Sequence, residues 1–94
     1  MTKYFKRPWE DSRGDEFDSW GPSVWYFEIA PDRYPMRQIE VYADGTILKY
    51  DKQHADDQFG GLGVQQLDVE DFEPFEISSS EFDAAWSNTN ARNR

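Results

Sequence analysis

Residues Arg37–Asp51 read RQIEVYADGTILKYD, and the way this stretch folds decides the rest of the chain. Two runs of β-branched and aromatic residues flank Asp44-Gly45, and a two-residue Asp-Gly loop favours a type I′ turn, in which both central residues take positive φ. That turn sets a register. Ala43 falls opposite Thr46, Val41 opposite Leu48 and Ile39 opposite Tyr50 on an apolar face. Tyr42 with Ile47, Glu40 with Lys49 and Gln38 with Asp51 make the polar face, where Glu40 and Lys49 stand as opposite charges across the ladder.

Upstream, Ser23–Ile29 (SVWYFEI) has strand composition, with Trp25, Phe27 and Ile29 on one side and Val24, Tyr26 and Glu28 on the other. Pro31 ends it, and the turn over Ala30–Met36 leads into the hairpin, so three consecutive strands form an antiparallel meander. Tyr4, Phe5 and Trp9 mark an earlier edge strand that stops pairing at Pro8, which has no N–H to donate. Between them, Asp11–Pro22 (DSRGDEFDSWGP) is a loop whose Phe17 and Trp20 are expected to fold back onto the core.

Downstream of Asp51, about fifteen residues (KQHADDQFGGLGVQQ) show no period, and a loop of that length is a candidate binding loop. Leu67–Ile77 (LDVEDFEPFEI) alternates apolar and acidic positions as a short strand, with Pro74 excluding its second half from a central position. Ser78 and Glu81 form a capping box, and Ile77 and Phe82 have the spacing of a hydrophobic staple. A helix is therefore predicted from Ser79, its Phe82, Ala85 and Trp86 facing the sheet and its end fraying near Asn88–Asn90. The expected fold is α+β: an antiparallel sheet of four to five strands, a central meander with the Asp44-Gly45 hairpin, and one C-terminal α-helix packed on it. Residues 1–89 are expected to form a single domain and residues 90–94 a disordered tail.

Ninety-four residues can bury one small core, and 17% aromatic side chains can build it without a staple. The absence of cysteine excludes a disulfide scaffold and is compatible with a reducing compartment. A polar start (MTKYFKRPWEDSR) and the lack of a long apolar run imply no signal peptide and no membrane span, hence a cytoplasmic protein. A net charge of −9 argues against nucleic acid as a partner and for a cationic protein.

Chemical motifs are weak. His54 lies near Asp56 and Asp57 in KQHADD, but a dependable metal or catalytic site needs three or more convergent ligands. Gly60-Gly61-Leu62-Gly63 lacks the Lys-Ser/Thr that completes a phosphate cradle, and Asp68, Glu70 and Asp71 lack the central Gly and terminal Glu of a calcium loop. No cofactor, metal or enzymatic activity is expected.

The charge itself is unevenly spread. Asp51–Asp83 holds ten acids against the single base Lys52, while the remainder holds nine of each, so ten minus one accounts for the whole −9. Like charges gathered on one surface repel, and a cationic partner relieves that repulsion. The candidate partner-binding residues are Asp56, Asp57, Asp68, Glu70, Asp71, Glu73 and Glu76, with Phe59 and Phe72 as exposed aromatic anchors.

Tyr4, Trp9, Glu28, Arg37, Ile39–Gly45 (IEVYADG), Tyr50 and Pro74–Trp86 (PFEISSSEFDAAW) together resemble a family of small bacterial proteins of uncharacterised function. Its members read as a Tyr/Trp-containing strand, an R-x-V-E-V-F-x-D-G hairpin and an E-E-I-x-x-x-E-F-x-x-x-W ending. Lys6-Arg7-Pro8 departs from that outline and puts the length of the first strand in question. In size, acidity and architecture the chain also resembles the immunity proteins of interbacterial toxin systems. That resemblance implies an inhibitor that covers the basic active-site groove of a cognate toxin, a nuclease-type catalytic domain, with neither nucleic acid nor membrane as a partner. The alternative is a stand-alone acidic interaction or regulatory module unrelated to toxins.

Overall fold

In the computed structural model, which describes residues 2–94, five strands form one antiparallel sheet. They are β1 (Lys3–Trp9), β2 (Ser23–Ile29), β3 (Pro35–Tyr42), β4 (Ile47–Asp51) and, after a two-stranded hairpin of β5 (Asp56–Asp57) and β6 (Gly60–Gly61), β7 (Glu76–Ile77). The order across the sheet is β4-β3-β2-β1-β7. A short helix α1 (Val69–Phe72) precedes β7, and α2 (Ser79–Asn88) follows it. The meander and the C-terminal helix are thus those the sequence predicts, in a small α+β fold.

The hairpin register is not. Val41 pairs with Ile47, Glu40 with Leu48, Ile39 with Lys49 and Gln38 with Tyr50, one residue away from the type I′ alignment. The loop has three residues, Ala43–Gly45. The Tyr42 N–H donates to Thr46 O at 2.8 Å, the Gly45 N–H donates to Tyr42 O at 2.9 Å, and among the described non-glycine residues only Arg33 has positive φ. Within the loop Gly45 alone takes the left-handed conformation (φ 96°), the geometry of a three-residue hairpin loop. The neighbouring loop enforces this choice, since Pro22 O accepts the Ala43 N–H at 2.9 Å and Trp20 O accepts that of Asp44 at 3.2 Å.

A one-residue shift sends every β4 side chain to the opposite face. Glu40 and Lys49 therefore do not meet. One face carries Phe5, Trp25, Phe27, Gln38, Glu40, Tyr42, Leu48 and Tyr50; the other carries Tyr4, Tyr26, Glu28, Arg37, Ile39 and Lys49. Both need a cover, and both have one.

Loops cover the first face. Trp20, Tyr42, Leu48 and Tyr50 form one core cluster, with Phe17, Phe59 and Leu62 against it; Phe5, Phe27 and Ile29 form another, with Trp25, Leu67, Val69 and Phe72 against it. The stretch expected as a strand from Leu67 instead carries α1 and then a 3₁₀ turn over Glu73–Phe75, because Asp68 caps α1 by accepting the Glu70 N–H at 3.1 Å. Only Glu76 and Ile77 extend, pairing with Phe5 and Tyr4.

Helix α2 covers the second face. Ser78 Oγ accepts the Glu81 N–H at 3.1 Å and starts the helix where the capping signal places it. Phe82 is fully buried, 5.5 Å from the Tyr4 ring. Arg37 lies 4.8 Å over Phe82, makes two bonds to the Glu28 carboxylate (2.8 and 2.9 Å) and reaches Asp83 at 2.9 Å. Glu28 and Asp83 hold its guanidinium above its ordinary pKa, Glu28 most strongly, against the effect of burial. At the other end of α2, Lys49 Nζ donates to Trp86 O and, at 2.6 Å, to Thr89 O, placing a cation on the carbonyl end of the helix.

Strand β1 continues through Pro8 to Trp9, beyond the stop that proline predicts. Its outer side is paired by β7 only at Tyr4 and Phe5, so the remainder lies at a sheet edge, where proline is tolerated. Residues 90–94, expected as a disordered tail, run along β4. The Arg92 N–H bonds Ile47 O at 2.7 Å, the Asn93 side-chain amide bonds both Lys49 N–H (3.0 Å) and Lys49 O (2.9 Å), and Arg94 pairs with Asp51 at 2.9 Å.

Candidate functional site

The acidic residues singled out by their density separate in the fold. Asp56 and Asp57 belong to the β5–β6 hairpin beside β4, at one edge of the sheet, while Asp68–Glu76 leads into β7 at the other. Asp57 turns inward. It accepts from Tyr50 Oη (2.9 Å), Phe59 N–H (2.9 Å) and Asn93 Nδ2 (3.0 Å), and pairs with His54 Nε2 at 2.9 Å. Burial pushes its carboxyl up, but these four partners outweigh burial and bring its pKa to about 2. His54 is thus a structural partner of Asp57. Among the described residues no group of three or more His, Cys, Asp or Glu side chains is arranged to hold a metal ion.

Asp56 on the hairpin and the five candidate acids at the other edge, Asp68, Glu70, Asp71, Glu73 and Glu76, stay exposed and without an ion pair among the described residues. Phe72, in their midst, is not the exposed anchor expected. Its ring packs edge-on at 5.8 Å against both Phe5 and Phe27. Phe59 is likewise half-buried, 5.4 Å from Phe17 and 5.7 Å from Trp20. Among the described residues the exposed aromatics are Trp9, at 49%, and Tyr34, at 44%.

Trp9 and Trp25 stand between two adjoining hollows on the loop face of the sheet. One, of about 230 Å³, is lined by Arg7, Trp9, Trp25, Phe27 and Phe72, so Phe72 joins it to the acidic segment. The Arg7 guanidinium packs 4.7 Å over Phe72 and 5.0 Å over Phe75. The other, of about 390 Å³, lies over Ser23, Glu40 and Tyr42 and is walled by Trp9, Trp25, Arg13 and Gly60-Gly61.

Glu40 is the unusual group here. Only 3% exposed, it accepts from Tyr42 Oη at 2.5 Å and from Gln38 Nε2 at 2.7 Å. Burial raises its pKa above the ordinary carboxylate range, and these two hydrogen bonds oppose that rise. Gln38 is held in turn by Gly61 O (3.2 Å) and the Gly63 N–H (3.0 Å). Arg13 donates to Asp15 (3.1 Å), Phe59 O (2.5 Å) and Tyr42 Oη (3.4 Å), with its guanidinium 5.1 Å from the Phe17 ring and 5.5 Å from Trp20. Sequence reasoning placed Gln38, Glu40 and Tyr42 on the polar face and missed this site. Their spacing of two puts them on one face, but only the covering loops show that the face is interior.

No curated protein and no solved structure matches the chain. One family model does, over residues 3–91, nearly the full length, and its description is a domain of unknown function, DUF6881. An Arg37-anchored helix on one side of the meander and a Glu40-floored hollow on the other are therefore the features of a chain that belongs to the DUF6881 family.

Proposed function

We propose that this protein is an inhibitor of the immunity type, which binds a basic protein surface and covers it. The partner is the catalytic domain of a cognate toxin, with a groove built for phosphates. Asp68, Glu70, Asp71, Glu73 and Glu76 occupy phosphate positions in that groove, while Trp9 and Arg7, from the residue types that dominate interface energetics, supply the contact that excludes water. The observation that carries this reading is the run of five exposed, unpaired carboxylates in nine residues, contiguous through Phe72 with an aromatic hollow. Such a field costs self-repulsion that a cationic partner relieves.

The test is protection and binding together. Cells producing the toxin domain from a neighbouring gene are expected to survive with the wild-type chain and to die with Asp71→Lys/Glu73→Lys/Glu76→Lys. Titration calorimetry should show the triple variant losing about 100-fold in affinity, near 2.7 kcal/mol, and the wild-type affinity falling with salt. Wild-type affinity and protection in the triple variant would overturn the reading. Salt-sensitive binding to a partner without toxicity would replace the toxin by an adaptor's target.

A further inference from the structure

We propose that the hollow over Glu40 takes one guanidinium group, an arginine side chain of the partner inserted beside the rings of Trp9 and Trp25. This inference rests on the proposed function and names the group by which the basic partner is anchored.

Glu40 is a buried carboxylate whose direct partners, Tyr42 and Gln38, are both neutral, and it makes no ion pair among the described residues. Buried charges are ordinarily paired, because desolvation without a counter-charge is costly. Arg13 reaches Glu40 only through Tyr42 Oη, at 3.4 Å, and its other contacts go to Asp15, Phe59 O and the faces of Phe17 and Trp20. Asp11, Asp15 and Glu40 line the hollow against Arg13 alone, so its lining carries three acids and one base. It therefore attracts a second cation despite the first.

The walls select the shape of that cation. A guanidinium is planar, weakly hydrated and stacks on indole, whereas an ammonium is compact and holds its water. Trp25 is preset for such a contact, its Nε1–H donating to buried Ser23 Oγ at 2.7 Å, and a fixed ring lowers the ordering cost of binding. Trp9, half exposed, is the wall a ligand can still cover.

Tryptophan fluorescence titration with N-acetylarginine methylamide, against the neutral isostere N-acetylcitrulline methylamide, tests this on the full chain. The arginine derivative is expected to bind at least about tenfold more tightly, a ratio worth 1.4 kcal/mol. Glu40→Gln should bring the ratio to about one with an unchanged circular dichroism spectrum. Trp9→Ala, at a half-exposed side chain, should weaken the arginine derivative about fivefold and serves if Glu40→Gln fails to fold. Equal affinities for the two derivatives in the wild type, or a ratio retained in both variants, would overturn the proposal. The ratio should survive in Asp71→Lys/Glu73→Lys/Glu76→Lys, so failure of the acidic-segment reading and failure of the arginine hollow are read separately.

Discussion

Asp57 ties three parts of the chain together, its own hairpin, Tyr50 on β4 and Asn93 of the tail. Because its folded pKa, about 2, lies below the ordinary 3.8, ionised Asp57 adds stability above about pH 5 that is lost as pH falls toward 2. The expected contribution is about 2 kcal/mol. Glu40 works with the opposite sign, since its raised pKa makes protonation favour the fold. The difference between wild type and Asp57→Asn isolates the first effect: thermal melts should show the variant about 1–2 kcal/mol less stable at pH 7, with the gap closing below pH 3. Arg33 holds a left-handed φ of 72° in the β2–β3 turn. Replacing it by glycine, which adopts that conformation without steric cost, is expected to raise stability by about 0.5–1 kcal/mol in a urea titration.

Among the elements, α2 is the most exposed to a single truncation. Phe82 has no accessible surface and stands between Tyr4 and Arg37, so Phe82→Ala is expected to cost about 3–5 kcal/mol. A domain of this size has on the order of 5–10 kcal/mol in total, so the variant's urea midpoint should fall by roughly half. Helix α2 and strand β2 were legible because their signals are local: a serine three residues before a glutamate, and a β-branched and aromatic run closed by proline. The register of the hairpin was not, because the carbonyls of Trp20 and Pro22, brought there by tertiary folding, take the turn's N–H groups and settle the loop at three residues. The acidic stretch read as a strand for a similar reason: its alternation from Leu67 has no competitor in the sequence except Asp68, whose capping geometry starts a turn of helix.

At the level of the whole molecule, the acid-rich third of the chain is divided by the fold. Asp51, Asp57 and Asp83 are held by Arg94, His54 and Arg37, while the run from Asp68 to Glu76 stays exposed and without an ion pair among the described residues. Charge density along a sequence locates such a run but not which members fold inward, and the hollow over Glu40 was hidden because two covers, helix and loops, make both faces of one sheet interior. The other long-range consequence concerns the rim of β4. Asn93 answers both the N–H and the carbonyl of Lys49 with one amide, as a neighbouring strand would. Removing Arg92–Arg94 should therefore free a pairing edge, and light scattering is expected to show the shortened chain forming dimers and larger species at concentrations where the full chain stays solitary. A three-residue plug of this kind occupies backbone groups that a bare rim leaves open to a second copy of the same strand.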